Sequence, residues 1–186
     1  MKRVFDVIVS VMALVVLSPV FLAVALAVRL TSRGPVFHIS DRVGKDNRIF
    51  RMFKFRTMRE DTPHVATHLM TDPKAYLTPV GGVLRKTSLD ELPQLINVLK
   101  GDMSLVGPRP ALFNQDDLIS LRTEKGVHQL VPGITGWAQV NGRDELPIPL
   151  KVDLDVFYVE SRSFWLDLKI LFRTVLNVFK GDSVSH

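Results

Sequence analysis

Between Val7 and Val28 the chain reads VIVSVMALVVLSPVFLAVALAV, with Ser10 and Ser18 as the only polar side chains. A continuous helix of this length, at about 1.5 Å per residue, would cross a hydrocarbon core of about 30 Å. Ser18-Pro19 interrupts it. Proline inside a helix removes a backbone hydrogen bond and costs about 3 kcal/mol or more. The stretch therefore divides into two arms, Val7–Leu17 and Val20–Val28, each reaching about halfway across. Two readings fit: a helix-break-helix hairpin that enters one leaflet and returns, and a kinked helix that spans. In either, Ser18 or packed protein can satisfy the carbonyl that proline leaves free. Lys2 and Arg3 precede the stretch and Arg29 and Arg33 follow it, so charge gives no inside-outside bias. Ala23-Val24-Ala25 imitates a signal-peptide cleavage site, but the apolar run is longer than such a signal and is broken by proline.

Outward from this segment, 186 residues leave room for one further domain with a core of its own. We divide the chain into a membrane hairpin over 1–33 and a domain over 34–186. The absence of cysteine excludes disulfides, thiolate zinc sites and a cysteine nucleophile. The net charge of +5 is unevenly placed: residues 1–59 carry eleven Lys/Arg against three Asp. A basic half beside an apolar N-terminus points to anionic headgroups or phosphorylated substrates. Nucleic acid is not expected, since no zinc finger, RNP-like aromatic motif or basic recognition helix is present.

Gly34-Pro35 punctuates the exit from the apolar segment. Val36–Ile39 and Arg48–Lys54 read as short strands around a polar turn at Gly44–Asn47. Residues 59–79 read mostly as loop. Leu92, Leu95, Ile96 and Leu99 follow helical spacing up to Lys100-Gly101. Asp116–Lys125 and Asp153–Ser161 read as helices, and Val131–Arg143 as loop and short strand. Phe164–Lys180 is apolar with a stripe of Lys169, Arg173, Asn177 and Lys180; it suits a helix in the headgroup plane or a core helix with one wet face. The fold class is α+β: the hairpin packed on a small, mainly helical domain with short strands and interfacial amphipathic helices.

Chemistry concentrates in Ser88-Leu89-Asp90-Glu91-Leu92-Pro93. Ser88 and Glu91 have capping-box spacing, so one reading is that Glu91 closes a helix start. Pro93 opposes that register, because as fifth helical residue its missing N–H would matter. A helix starting near Asp90 puts Pro93 in the first turn and Asp90 at the N-terminus, where a carboxylate is stabilised and phosphate is attracted. Adjacent carboxylates suit a nucleophile or metal ligand beside a second acid. Cations surround the pair in sequence: Arg85 and Lys86 upstream, Arg109 between two prolines, and Lys54 and Arg56 after a strand. Arg109 loses little backbone entropy on ordering, which suits a phosphate clamp. Together with a membrane anchor they suggest phosphoryl transfer at a lipid surface. His38, His64, His68, His128 and His186 form no metal-ligand pattern.

The run from Arg85 through Asp90-Glu91-Leu92-Pro93-Gln94-Leu95-Ile96-Asn97 to Gly107-Pro108-Arg109-Pro110 closely resembles the signature of the bacterial sugar transferases, the monotopic phosphoglycosyl transferases. The likeness extends to Lys2-Arg3-Val4-Phe5-Asp6, Ser18-Pro19, Lys54-Phe55-Arg56-Thr57-Met58 and Pro132-Gly133-Ile134-Thr135-Gly136-Trp137 through Gly142-Arg143, nearly the whole chain. It implies a re-entrant hairpin broken at Ser18 and Pro19, and a magnesium-dependent (Mg2+) catalytic domain at the cytoplasmic face of the bacterial inner membrane. It further implies that Asp90 attacks the β-phosphate of a UDP-sugar, releasing UMP, and that polyprenyl phosphate takes the phosphosugar from the enzyme. Asp90 and Glu91 would be catalytic and hold the metal, with Glu91 as metal ligand or proton acceptor. Lys54, Arg85, Arg109 and Arg143 would bind phosphate or nucleotide. Membrane lipids are the implied surroundings, and a homo-oligomer is compatible with the sequence. The length matches the family's minimal catalytic unit. Thr57 stands where the family often has Ser, and Ala111–Lys125 departs from the family pattern. A scaffold with lost chemistry, a glycosyltransferase releasing UDP and a lipid-binding module are the competing functions.

Overall fold

The computed structural model describes residues 1–62, 72–142 and 146–179. Two helices open the chain, α1 (Lys2–Val16) and α2 (Ser18–Thr31), bent by 64° about Leu17. Neither is long and apolar enough to cross a membrane alone. Pro19 sits in the first turn of α2, where its missing N–H does no harm. The carbonyl it would have bonded, that of Val15, accepts instead from Ser18 Oγ at 2.8 Å, as the sequence suggested.

Both helices run longer than the apolar arms. α1 starts at Lys2 because its polar first turns have partners in the rest of the protein. Lys2 pairs with Asp167 at 2.7 Å, and Ser104 Oγ donates to Asp6 at 2.8 Å. Arg3 caps the carbonyls of Val98 and Leu99. The charges expected to flank a membrane segment are therefore also docking contacts. α1 is inside out relative to a water-soluble helix: Asp6 (3 % exposed) and Ser10 (0 %) face inward, whereas Val4, Ile8, Met12, Val15 and Val16 are exposed.

β1 (Phe37–Val43) and β2 (Ile49–Phe55) form an antiparallel hairpin, Phe37 opposite Phe55 and Val43 opposite Ile49. Asp46 and Asn47 take the left-handed conformation in its turn, which short polar side chains tolerate. β1 outruns its predicted end at Ile39 because Arg42 and Val43 also pair with β4 (Ala111–Leu112), a contact that local sequence cannot reveal. Phe21, Phe37 and Phe55 cluster where α2 meets this hairpin.

α3 (Gly81–Lys86) leads to α4 (Gln94–Lys100), which ends at Gly101 with φ 95. Asn97 fastens α4 to β2: its Oδ1 accepts from Phe53 N at 3.0 Å, and its Nδ2 donates to Arg51 O at 2.7 Å. A short parallel pair, β3 (Ser104–Val106) and β5 (Gly133–Thr135), is connected through β4 and α5 (Asp116–Glu124). The main core gathers Val98, Met103, Leu105, Val106, Tyr158 and Ile170, with Phe5 and Val9 of α1 packed on it.

Three helices close the described residues. α6 (Trp137–Asn141) was not expected, since its neighbouring glycines read as loop. α7 (Ile148–Ser161) begins earlier than predicted because a proline occupies its first turn. α8 (Phe164–Phe179) buries Ile170 and Asp167. Its outer face exposes Trp165, Phe172, Val175 and Leu176, so it is a core helix whose other side is apolar. The expected wet stripe is partly spent, with Lys169 and Arg173 over the Trp137 ring at 5.8 and 5.4 Å. His64, His68, Lys180 and His186 lie outside the described residues.

Candidate active site

Asp90 lies in a single 3-10 turn, Leu89–Glu91, just ahead of α4 rather than at an α-helix N-terminus. Ser88 enters this turn with φ 55 and its side chain caps nothing, so the capping-box reading is overturned. The left-handed Ser88 opens the turn that carries both carboxylates. Glu91 Oε1 meets Lys54 Nζ at 2.7 Å and Arg109 Nη2 at 3.2 Å. Both of these cation contacts fall on Glu91.

Each partner is delivered by a separate element. Lys54 projects from β2, whose position is set by Asn97 of α4. Arg85 comes from the last turn of α3 and donates through Nε to Thr57 Oγ1 at 3.0 Å. The hydroxyl, common to Ser and Thr, is what this contact needs, so Thr57 preserves it. Arg109 rides on a turn between Pro108 and Pro110. Of the sequence-predicted residues, the structure thus brings together Asp90, Glu91, Lys54, Arg85 and Arg109, while Arg143 lies outside the described residues. Arg56 is not part of the cluster. It is buried and donates to the carbonyls of Ser32 and Arg33 and to Ser32 Oγ, tying down the exit from α2.

The two carboxylates are held in different states. Burial drives the Asp90 carboxyl (7 % exposed) up to about 6; Glu91 reinforces the shift, and Lys54, Arg85 and Arg109 oppose it. Burial acts upward on Glu91 too, but Lys54 and Arg109 outweigh it and hold Glu91 below the usual carboxylate range. Burial also works against the Arg85 charge, which Asp90 supports. A pair divided in this way offers one carboxylate locked as an anion and one of raised basicity.

Among the described residues no group of three His, Asp or Glu side chains gathers around a metal position. The Asp90-Glu91 pair nevertheless has donors that fit magnesium, which takes one or two carboxylates and completes its shell with water and substrate phosphate.

The surroundings of Arg109 escaped the sequence reading. Gly107 N donates to Thr135 O and Gly133 N to Pro108 O, both at 2.9 Å, so β5 holds the Arg109 turn through its backbone. On the other side Arg122 Nη1 of α5 donates to Arg109 O at 2.7 Å, and Arg122 pairs with Asp155 of α7. A signal was available: Asp155 lies between Val152 and Tyr158 on the buried stripe of α7, and Arg122 one turn after buried Leu118. A charge on an apolar stripe demands a buried partner.

Residues 1–181 match the bacterial sugar transferase family. The chain is 44 % identical over 188 residues to the uncharacterized sugar transferase EpsL of Bacillus subtilis (strain 168), covering 100 % of this chain and 91 % of EpsL. It is 40 % identical to UDP-N-acetylgalactosamine-undecaprenyl-phosphate N-acetylgalactosaminephosphotransferase of Aeromonas hydrophila, covering 97 % of this chain and 44 % of that protein. It is 42 % identical to UDP-glucose:undecaprenyl-phosphate glucose-1-phosphate transferase of Escherichia coli (strain K12), covering 97 % of this chain and 40 % of the relative. The chain thus spans less than half the length of the latter two.

Proposed function

This chain belongs to the bacterial sugar transferase family, and from that premise we propose that it moves a sugar-1-phosphate from a UDP-sugar to a polyprenyl phosphate, releasing UMP. The observation that carries the reading is the convergence of Asp90 and Glu91 with Lys54, Arg85 and Arg109. Three cations around an acidic pair suit a diphosphate whose charge shifts during transfer.

Asp90 is the nucleophile. Its carboxylate oxygen attacks the phosphorus that bears the sugar; the bond from that phosphorus to the bridging oxygen breaks, and UMP leaves with that oxygen. The phosphosugar is then held on Asp90 as an acyl phosphate. A polyprenyl phosphate oxygen attacks the same phosphorus, forms the diphosphate and frees the carboxylate. The raised basicity of Asp90 strengthens it as a nucleophile while leaving it largely ionised above pH 7. Lys54 and Arg109 keep Glu91 charged and fixed, and with Arg85 they bind the phosphates; Arg143 joins them by family resemblance. Asp90 and Glu91 would hold magnesium, which supplies neutralisation of diphosphate charge.

The test is intact-protein mass after incubation with magnesium and UDP-glucose, UDP-N-acetylglucosamine or UDP-N-acetylgalactosamine, without lipid acceptor, followed by UMP release with polyprenyl phosphate added. A phosphosugar-sized gain on Asp90 and UMP as leaving nucleotide are expected. Release of UDP would replace this reading with a glycosyltransferase.

The inside-out character of α1 supports a re-entrant hairpin over residues 1–33, with its exposed valines in acyl chains and Asp6 and Ser10 turned to protein. The outer apolar face of α8 would lie in the headgroup layer. We place the domain over residues 34–186 at the cytoplasmic face of the bacterial inner membrane. Single cysteines introduced at residue 2 and residue 125 should then react with an impermeant maleimide from the same side of sealed vesicles. Labelling from opposite sides would make the segment a kinked span.

A further inference from the structure

We propose that Arg122 and Asp155 form a buried positioning pair that aims Arg109 at the phosphate of the donor; this rests on the reading of Arg109 as a phosphate-binding side chain. Arg122 is 8 % exposed and Asp155 1 %. Nε and Nη2 of Arg122 both donate to Asp155 Oδ2, at 2.9 and 2.6 Å, and Nη1 donates to the Arg109 carbonyl at 2.7 Å. One guanidinium therefore joins α5, α7 and the turn that carries Arg109. That turn is short of donors of its own, because Pro108 and Pro110 lack N–H groups. Its carbonyls are held from outside, that of Pro108 by Gly133 and that of Arg109 by Arg122. The Arg109 side chain leaves from between these two anchors to reach Glu91.

Stability alone is a weak reason for such a pair. Burying two ions costs several kcal/mol each, and well-packed apolar residues of similar volume often serve as well. What apolar residues cannot supply is a forked donor that grips a carboxylate and a carbonyl at once. The fork fixes the backbone of Arg109 relative to two helices, so the side chain starts from a defined origin. Neither Arg122 nor Asp155 touches substrate; they act through Arg109.

The experiment is a double-mutant cycle on the full chain in lipid nanodiscs, using whichever UDP-sugar of the three above gives UMP release. Two variants remove the fork: Arg122→Met with Asp155→Leu, which swaps the pair for apolar volume, and Arg122→Lys, which keeps a charge beside Asp155 but cannot span both acceptors. Each should melt close to the wild type, with kcat/KM for the donor down about 10- to 100-fold, carried mostly by KM. In an Arg109→Ala background the same changes should cost less than about 3-fold, because the group they position is gone. Equal losses in both backgrounds would overturn the proposal, as would loss of folding in both variants, which would make the pair purely structural. Failure of the underlying reading looks different: a wild type that releases no UMP, or an Arg109→Ala variant as active as wild type, removes the clamp and the brace together.

Discussion

Asp90→Asn should melt several degrees above the wild type at pH 8 without divalent cations, while UMP release falls by at least about 10³-fold. The first half follows from burial. The Asp90 carboxyl is raised to about 6 because removal from water costs its charged form more than Lys54, Arg85 and Arg109 return. A carboxyl raised in this way favours the folded state through its protonated form. That contribution is complete below the ordinary carboxylate range and is lost as pH climbs through about 6. At pH 8 the wild type therefore carries an unfavourable buried charge, of the order of 2–3 kcal/mol. Asparagine keeps the shape and removes the charge. For a chain of this size that corresponds to roughly 4–12 °C, and the gap between variant and wild type should narrow to about half on lowering the pH to 5 and close only below about pH 4. An Asp90→Asn protein that melts below the wild type at pH 8 would show that the surrounding cations outweigh burial. The second half comes from chemistry, since a neutral amide cannot attack phosphorus and return as a leaving carboxylate.

The same residue shows how far sequence could reach. The importance of Asp90-Glu91 was legible because Arg85, Lys86, Arg109 and Lys54 stand around the pair in sequence and because the run through it resembles a family signature. The division of labour between them was not, because it depends on Lys54 and Arg109 arriving from β2 and from a distant turn. Helices with clear spacing were found, α4 up to Gly101 most closely. β1 was cut short because the pairing of Arg42 and Val43 with Leu112 and Ala111 is a contact across about seventy residues. Arg56 looked like one more phosphate cation and proved to be a tie on the α2 exit; sequence gives the charge of a side chain, not its direction. Arg122 and Asp155 each lie on an apolar stripe, which marks a charge that needs a buried partner, but only the fold shows that they partner each other.

Gly133→Ala should be among the most damaging glycine-to-alanine changes at the described residues. Gly133 has no left-handed φ to explain it; the reason is space. A Cβ there would stand 2.1 Å from Gly107 N, 2.4 Å from Thr135 O and 2.7 Å from Gly107 Cα. These are backbone atoms, so no rotamer can move aside, and β5 must separate from the Gly107-Pro108 backbone. Overpacking of a rigid contact costs about 3 kcal/mol, equivalent to roughly 6–12 °C in melting temperature. The displaced strand also surrenders the Gly133 N to Pro108 O hydrogen bond that anchors the Arg109 turn. Activity should therefore fall further than the fraction unfolded explains, with KM for the UDP-sugar rising as is expected for Arg109→Ala. Gly126→Ala is the matched comparison. Gly126 has φ 75 but open space around its Cβ position, so alanine meets only the left-handed penalty of about 1 kcal/mol and leaves KM unchanged. Melting curves and donor kinetics on the two variants separate the alternatives. If Gly133→Ala lost no more stability than Gly126→Ala, the close approach of β5 to the Arg109 turn would not be what holds that arginine in place.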